Sequence, residues 1–150
     1  MGLSILLGSS VFALGVVVQL VAIVALLRFL ERRDRLALLT GSLWTSAGAL
    51  SGAMLIVFAG HLVQVGLWAG LFQWLGEFDN FETAFYHSAV NFSSLGYGDL
   101  VMSTEWRLLG PIEAASGILM FGISTGVGFA VFSFLLRGAA AERDKNQATG

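Results

Sequence analysis

The part of this chain best suited to chemistry is a run of backbone, Ser94-Leu95-Gly96-Tyr97-Gly98-Asp99. Two glycines flank a single aromatic residue, so the main chain there has access to angles that other residues resist. A strand of that kind is able to turn successive carbonyl oxygens to one side. Four copies about one axis would stack those oxygens into rings that replace the water shell of a dehydrated cation. Covalent chemistry finds little support. The chain has no cysteine, which removes disulfides, thiolate metal sites and cysteine nucleophiles. No Walker loop, G-x-G-x-x-G fingerprint, H-E-x-x-H metal motif or nucleophile elbow is read. The sequence therefore argues against an enzyme, and no cofactor is expected.

The segment before the strand is what must hold it. Phe81, Ala84, Phe85, Ser88, Ala89 and Phe92 recur at helical spacing and predict a short amphipathic helix over Phe81–Phe92. Asp79 or Asn80 is placed to cap it, with Glu82 in the first turn. Such a helix is too short to cross a bilayer but is able to re-enter one. Irregular backbone at membrane depth is tolerated where it lines a water-filled cavity or is covered by protein.

A membrane is what the composition demands. Of 150 residues, 56% are apolar and only 12% charged, about half the charged share of a soluble domain. Three long apolar stretches, residues 3–27, 36–75 and 108–136, carry no charge except Glu113 in the last. Each exceeds the ~20 residues that span a hydrocarbon core of ~30 Å. The first stretch lacks a basic leader and a small-residue cleavage site, and it runs into Arg28, so it is read as a retained helix. The second is read as one long span, because no charge or proline interrupts it. The fold class expected is an all-α membrane protein: three transmembrane helices, a re-entrant helix and a filter loop.

Charge sets the expected orientation. Arg28, Arg32, Arg33 and Arg35 follow the first stretch, and Arg137, Arg143 and Lys145 follow the last. Between the second and third stand Glu77, Asp79, Glu82, Asp99 and Glu105, with Arg107 alone among them as a base. The positive-inside rule puts both basic clusters in the cytoplasm, the N-terminus outside and residues 76–107 outside. Trp68 and Trp74 are expected near the outer interface. The organisation expected is a helix and basic loop over 1–35, a pore module over 36–137, and a short disordered cytoplasmic tail over 138–150.

With these elements in place, residues 36–136 resemble the pore module of potassium channels, and Glu105-Trp106-Arg107 before the last helix is similar to small prokaryotic members with three spans. Coordination by carbonyl rings is that family's established device. The resemblance implies that the carbonyls of Ser94, Leu95, Gly96 and Tyr97 coordinate K+, the permeant ion, with the Ser94 hydroxyl completing the lowest site. It implies that Gly98 closes the strand, that Asp99 sits at the outer mouth, and that Tyr86 and His87 brace the filter. The family's usual Thr-Val before Gly-Tyr-Gly-Asp is Ser94-Leu95 here, and His87 stands where tryptophan or tyrosine is commoner. His87 is expected to hydrogen-bond Asp99 or Tyr97 and to lend the filter a pH response. Gly117 matches a hinge glycine of similar channels, with close packing as the plainer alternative; packing is favoured for Gly122, Gly126 and Gly128. Pro111 falls in the first turns of the last helix, where its missing N–H costs little.

Other polar residues receive plainer readings. Gln19, His61 and Gln64 lie inside apolar spans and are expected to face protein as interhelical hydrogen-bonding groups rather than as a metal or gating site. The arginines after the first span are read as a topology anchor that attracts anionic lipid, not as a voltage sensor. No cytosolic sensor is expected after the last span, and a separate regulatory subunit is left open.

The function expected is passive, selective potassium conduction by a homotetramer in a bacterial inner membrane. The partners are three further copies and lipid, with no nucleic acid. Two alternatives stand beside it: a cation channel of relaxed K+/Na+ selectivity, and a nonconducting structural or regulatory membrane subunit.

Overall fold

The computed structural model describes the backbone of residues 1–37 and 43–148, and side chains within 1–32, 47–134 and 136–137. Four helices follow in order: α1 Gly2–Ala37, α2 Leu43–Trp74, α3 Phe81–Phe92 and α4 Leu109–Ala148. Within them Gly2–Arg32, Ala47–Trp74 and Leu109–Phe134 are long and apolar enough to cross a membrane. The described residues contain no β-strand, and the strand-like run from Leu95 to Gly98 is irregular backbone.

The boundaries follow local chemistry. Asn80 caps α3, its Oδ1 accepting from the Thr83 N–H at 2.8 Å, which satisfies one of the open donors of the first turn. Pro111 is the third residue of α4, where the missing N–H would have no intrahelical acceptor. Before α4, Glu77 takes both the Ser103 N–H and the Ser103 hydroxyl, each at 2.7 Å. That pair ties the turn after α2 to the loop that leads into α4.

Three boundaries differ from expectation. The arginines from 28 onward do not form a loop: α1 continues to Ala37, because arginine, leucine and alanine are good helix formers with no break among them. Leu36 therefore ends α1 rather than opening the second span, which starts at Leu43; residues 38–42 between them lie outside the described residues. The tail continues α4 as helix to Ala148, in keeping with its run of alanines and charged helix formers. The side chains of Arg33, Arg35, Arg143 and Lys145 lie outside the description.

α2 is the central element and touches α1, α3 and α4. One apolar cluster gathers Val65, Trp68, Ala69 and Phe72 of α2 around Ala84 and Phe92 of α3, with Leu109 and Met120 of α4. A second joins Leu26 of α1, Ala53 and Val57 of α2, and Val131 of α4. Between helices in lipid the gain comes from close van der Waals contact, so small residues matter at the crossings. Gly52 shows this: a Cβ there would stand 2.5 Å from Cζ of Phe29 on α1. Trp68 is 2% exposed, inside the core rather than at an interface, whereas Trp74 is 74% exposed.

Candidate functional site

The glycine-flanked strand begins where α3 ends. Ser93 closes the helix, and the N–H groups of Ser94 and Leu95 still bond back to Asn91 and Val90 carbonyls at 2.8 and 2.9 Å. From there the backbone alternates. Ser94, Gly96 and Gly98 have φ of 58°, 61° and 73°, while Leu95 and Tyr97 do not take positive values. Glycine meets positive φ without steric cost; serine does so uncommonly. Reversal of hand at every second residue turns successive peptide groups toward a common side, which a regular strand, with its alternating carbonyls, does not do. Leu95 and Tyr97 are 55% and 67% exposed, so within one chain one side of the strand is uncovered.

The far end of the strand is tied to α3. Tyr86 donates its hydroxyl to Asp99 Oδ2 at 2.7 Å. This hydrogen bond holds the Asp99 carboxyl below its ordinary value, and the same bond raises the Tyr86 phenol.

His87 does not make the expected hydrogen bond to Asp99 or Tyr97. Its Nε2 lies 2.9 Å from Asn91 Nδ2, an amide nitrogen that only donates, so Nε2 accepts and the proton sits on Nδ1. The ring is buried between Phe72 and Phe78, with centroids 5.5 and 4.8 Å away. It turns inward because it follows Tyr86 directly on the helix and so projects from a different face. Burial lowers its imidazole below the usual value, offset in part by a hydrogen bond to the Leu100 backbone and by the charges of Asp99 and Glu77.

Behind the helix lies a polar group that the sequence reading left without a partner. Glu113 is fully buried, as is Ser88. The Ser88 hydroxyl stands 2.8 Å from the Val65 carbonyl of α2 and also hydrogen-bonds Glu113 Oε1 of α4. Asn91 is a further polar neighbour of the carboxyl, while Oε2 has no hydrogen-bond partner. One turn further along α4, Gly117 meets the end of α3 so closely that a Cβ would sit 1.9 Å from the Phe92 carbonyl oxygen. Close packing thus accounts for Gly117. Gly122 and Gly126 have no atom within 4 Å of such a Cβ, so the packing expected of them is not made within the chain. A Cβ at Gly128 would stand 3.0 Å from Cε of Met54.

The polar residues of the spans form one hydrogen-bonded chain. Gln64 of α2 donates to Gln19 of α1, Gln19 donates to Ser124 of α4, and Ser124 meets His61 Nε2 of α2, each at 3.0 Å. His61 packs edge-on to Phe121, and its buried Nδ1 has no partner. Residues 122–126 do spell the Gly-x-Ser-x-Gly of a nucleophile elbow, which the sequence reading passed over. They lie inside continuous helix, without the strand-to-helix turn that exposes a nucleophile. No group of three or more potential metal ligands occurs among the described residues.

Sequence reasoning missed Ser88, Asn91 and the Glu77–Ser103 tie. Ser88 was visible only as a member of the inward face of α3; the others gave no signal.

Residues 60–134, half of the chain, match the family model described as "Ion channel". The match takes in the second half of α2 from residue 60, all of α3, the run 94–98 and the membrane-crossing part of α4. No curated protein and no solved structure matches the chain significantly.

Proposed function

This chain belongs to the ion channel family, and on that premise we propose that it is a subunit of a potassium-selective channel. The carbonyls of Ser94, Leu95, Gly96 and Tyr97, with the Ser94 hydroxyl, coordinate dehydrated K+, and Gly98 closes the strand. The observation that carries this reading is the alternation of positive φ at Ser94, Gly96 and Gly98 beside a hydrogen-bonded brace from Tyr86 to Asp99. A selective filter needs oxygens already in place, because coordination must replace hydration without a costly rearrangement.

Four copies complete the device, since one strand cannot surround an ion. The uncovered side of Leu95 and Tyr97 and the large exposed apolar residues of α4, such as Phe129 at 71%, suit contact with further copies and lipid. The basic residues at the end of α1 and at Arg137 favour a C-terminal end in the cytoplasm and a filter mouth outside, in a bacterial inner membrane. The acidic residues Glu77, Asp79, Glu82 and Asp99 then lie on the outer side, where their summed field gathers cations. Conduction is passive and uses no cofactor.

A second reading is favoured by one feature. Ser94-Leu95 replaces the usual first pair, and Ser94 takes a φ of 58° that serine adopts reluctantly, so the innermost sites are the ones where selectivity would relax. Reversal potentials of purified protein in planar bilayers, with K+ on one side and Na+ on the other, separate the two. A strong K+ preference supports the proposal; a potential near zero supports relaxed selectivity; silence supports a nonconducting subunit.

A further inference from the structure

We propose that Glu113, acting as an uncharged hydrogen-bond donor, clasps the pore helix α3 between α2 and α4 and so positions the filter. The inference rests on the reading of residues 94–98 as a filter.

The argument begins with counting protons. The Ser88 hydroxyl has one hydrogen but two neighbours within hydrogen-bonding reach, the Val65 carbonyl and Glu113 Oε1. The Val65 carbonyl only accepts, and an ionised carboxylate only accepts. Both contacts are full two-centre hydrogen bonds at once only if the carboxyl brings the second proton. Glu113 then donates to Ser88, and Ser88 donates to Val65. The surroundings agree: Glu113 is completely buried, its described polar neighbours are the neutral Ser88 and Asn91, and no charged group acts on it. A bare carboxylate in such a place would be costly, and a neutral carboxyl tolerates the unpaired Oε2 far better.

The placement shows what the clasp does. Gly110, Glu113 and Gly117 recur at spacings of three and four, one face of α4, and all three meet α3. Gly110 approaches the Asn91 amide, Glu113 bonds Ser88, and Gly117 abuts the Phe92 carbonyl. Ser88 lies a turn and a half before the strand, and its hydroxyl is where α2, α3 and α4 are joined by hydrogen bonds. The same face of α3 leads on through Asn91 to His87, which reaches the Leu100 backbone beyond the strand. Both ends of the filter are therefore fixed to residues that hang on the clasp. A structural ion pair would need a cation beside Glu113, and a charge serving permeation would need an open path to water. Among the described residues the carboxyl has no cation beside it, and it is fully buried.

Three variants of the full chain in liposomes and planar bilayers test this. Glu113→Gln keeps a neutral donor and is expected to leave unitary conductance and the K+/Na+ permeability ratio within about twofold of wild type. Glu113→Leu and Ser88→Ala each break the clasp and are expected to lower that ratio at least ~5-fold in assembled protein. Infrared spectra supply a readout that needs no current: the carbonyl stretch of a protonated carboxyl should be present in wild type and absent from Glu113→Gln. A Glu113→Gln channel as impaired as Glu113→Leu, or no such band in wild type, overturns the proposal. So do assembled Glu113→Leu and Ser88→Ala channels of unchanged selectivity. A wild type that does not prefer K+ while showing the band defeats the filter reading and leaves the neutral donor standing, so the two failures are told apart.

Discussion

The hydroxyl of Tyr86 and the carboxylate of Asp99 meet at 2.7 Å across the full length of the glycine-flanked strand, thirteen residues apart in sequence. The strand is thus closed at both ends by α3: its beginning continues the helix through the Ser94 and Leu95 amides, and its end returns to the helix side. Five residues of irregular backbone held this way keep few free torsions. On the proposed reading, that closure holds the carbonyl oxygens that replace an ion's hydration shell.

Removal of the Tyr86 hydroxyl is the simplest probe of this closure. The hydrogen bond is the largest influence holding the Asp99 carboxyl below its ordinary value, so in Tyr86→Phe that carboxyl should protonate at higher pH. The Asp99 charge at the mouth is present above its folded value and lost as pH falls through it. Current measured against outer pH should therefore begin to decline at a higher pH in the variant; superimposable curves would contradict the brace.

His87 predicts a stability effect of definite sign. Burial lowers its imidazole in the folded chain, so the unfolded chain binds the proton more readily. Stability is complete above the unfolded value of ~6.5 and falls as pH drops below it toward the folded value. The melting midpoint of wild type should fall between pH ~7.5 and ~5.5, and His87→Phe should show a smaller fall. Open probability should follow the same pattern, and an equal pH response in both proteins removes His87 from the account.

Two glycines of α4 are expected to separate cleanly. A methyl at Gly117 would stand 1.9 Å from a backbone oxygen, whereas at Gly122 it meets nothing within 4 Å in the same chain. Gly117→Ala must push α4 away from α3 and should abolish assembly or current. Gly122→Ala should still yield folded protein on detergent gel filtration. Tolerance of Gly117→Ala with intact selectivity would show that the contact with Phe92 does not set the filter.

The Gln64–Gln19–Ser124–His61 chain is expected to hold the bundle together without touching permeation. Gln19→Leu breaks two hydrogen bonds, each worth ~0.6 kcal/mol between helices in a membrane, for a loss of about 1 kcal/mol. Unfolding in mixed detergent should reveal that loss while the reversal potential stays unchanged. A shifted reversal potential would contradict a purely structural role.

How much of this was legible in the sequence depends on the range of the signal. The ends of α3 at Phe81 and Phe92 are legible, because a cap at Asp79 or Asn80 and an inward apolar repeat are local signals. The three spans were equally plain, since length and hydropathy decide them. The end of α1 was misplaced because a basic cluster signals topology but does not stop a helix; Ala37 stands beyond all four arginines. Partners were the harder matter. His87 is expected to bond Asp99 or Tyr97, yet Tyr86 takes the Asp99 oxygen and His87 turns inward to Asn91, packed against Phe72 and Phe78. Glu113 stood out as the one charge in its stretch, but its partner Ser88 is 25 residues away on another helix. Nothing local connects them.

The central claim is that main-chain oxygens between Ser94 and Tyr97 hold K+ on an axis shared by four copies. A structure of the purified protein in lipid nanodiscs with K+ present tests it most directly. The account predicts a four-fold assembly with a column of ion density on the axis, level with the backbone from Ser94 to Tyr97. A single copy in the disc, or a strand from Ser94 to Gly98 facing lipid with no density beside it, would contradict it.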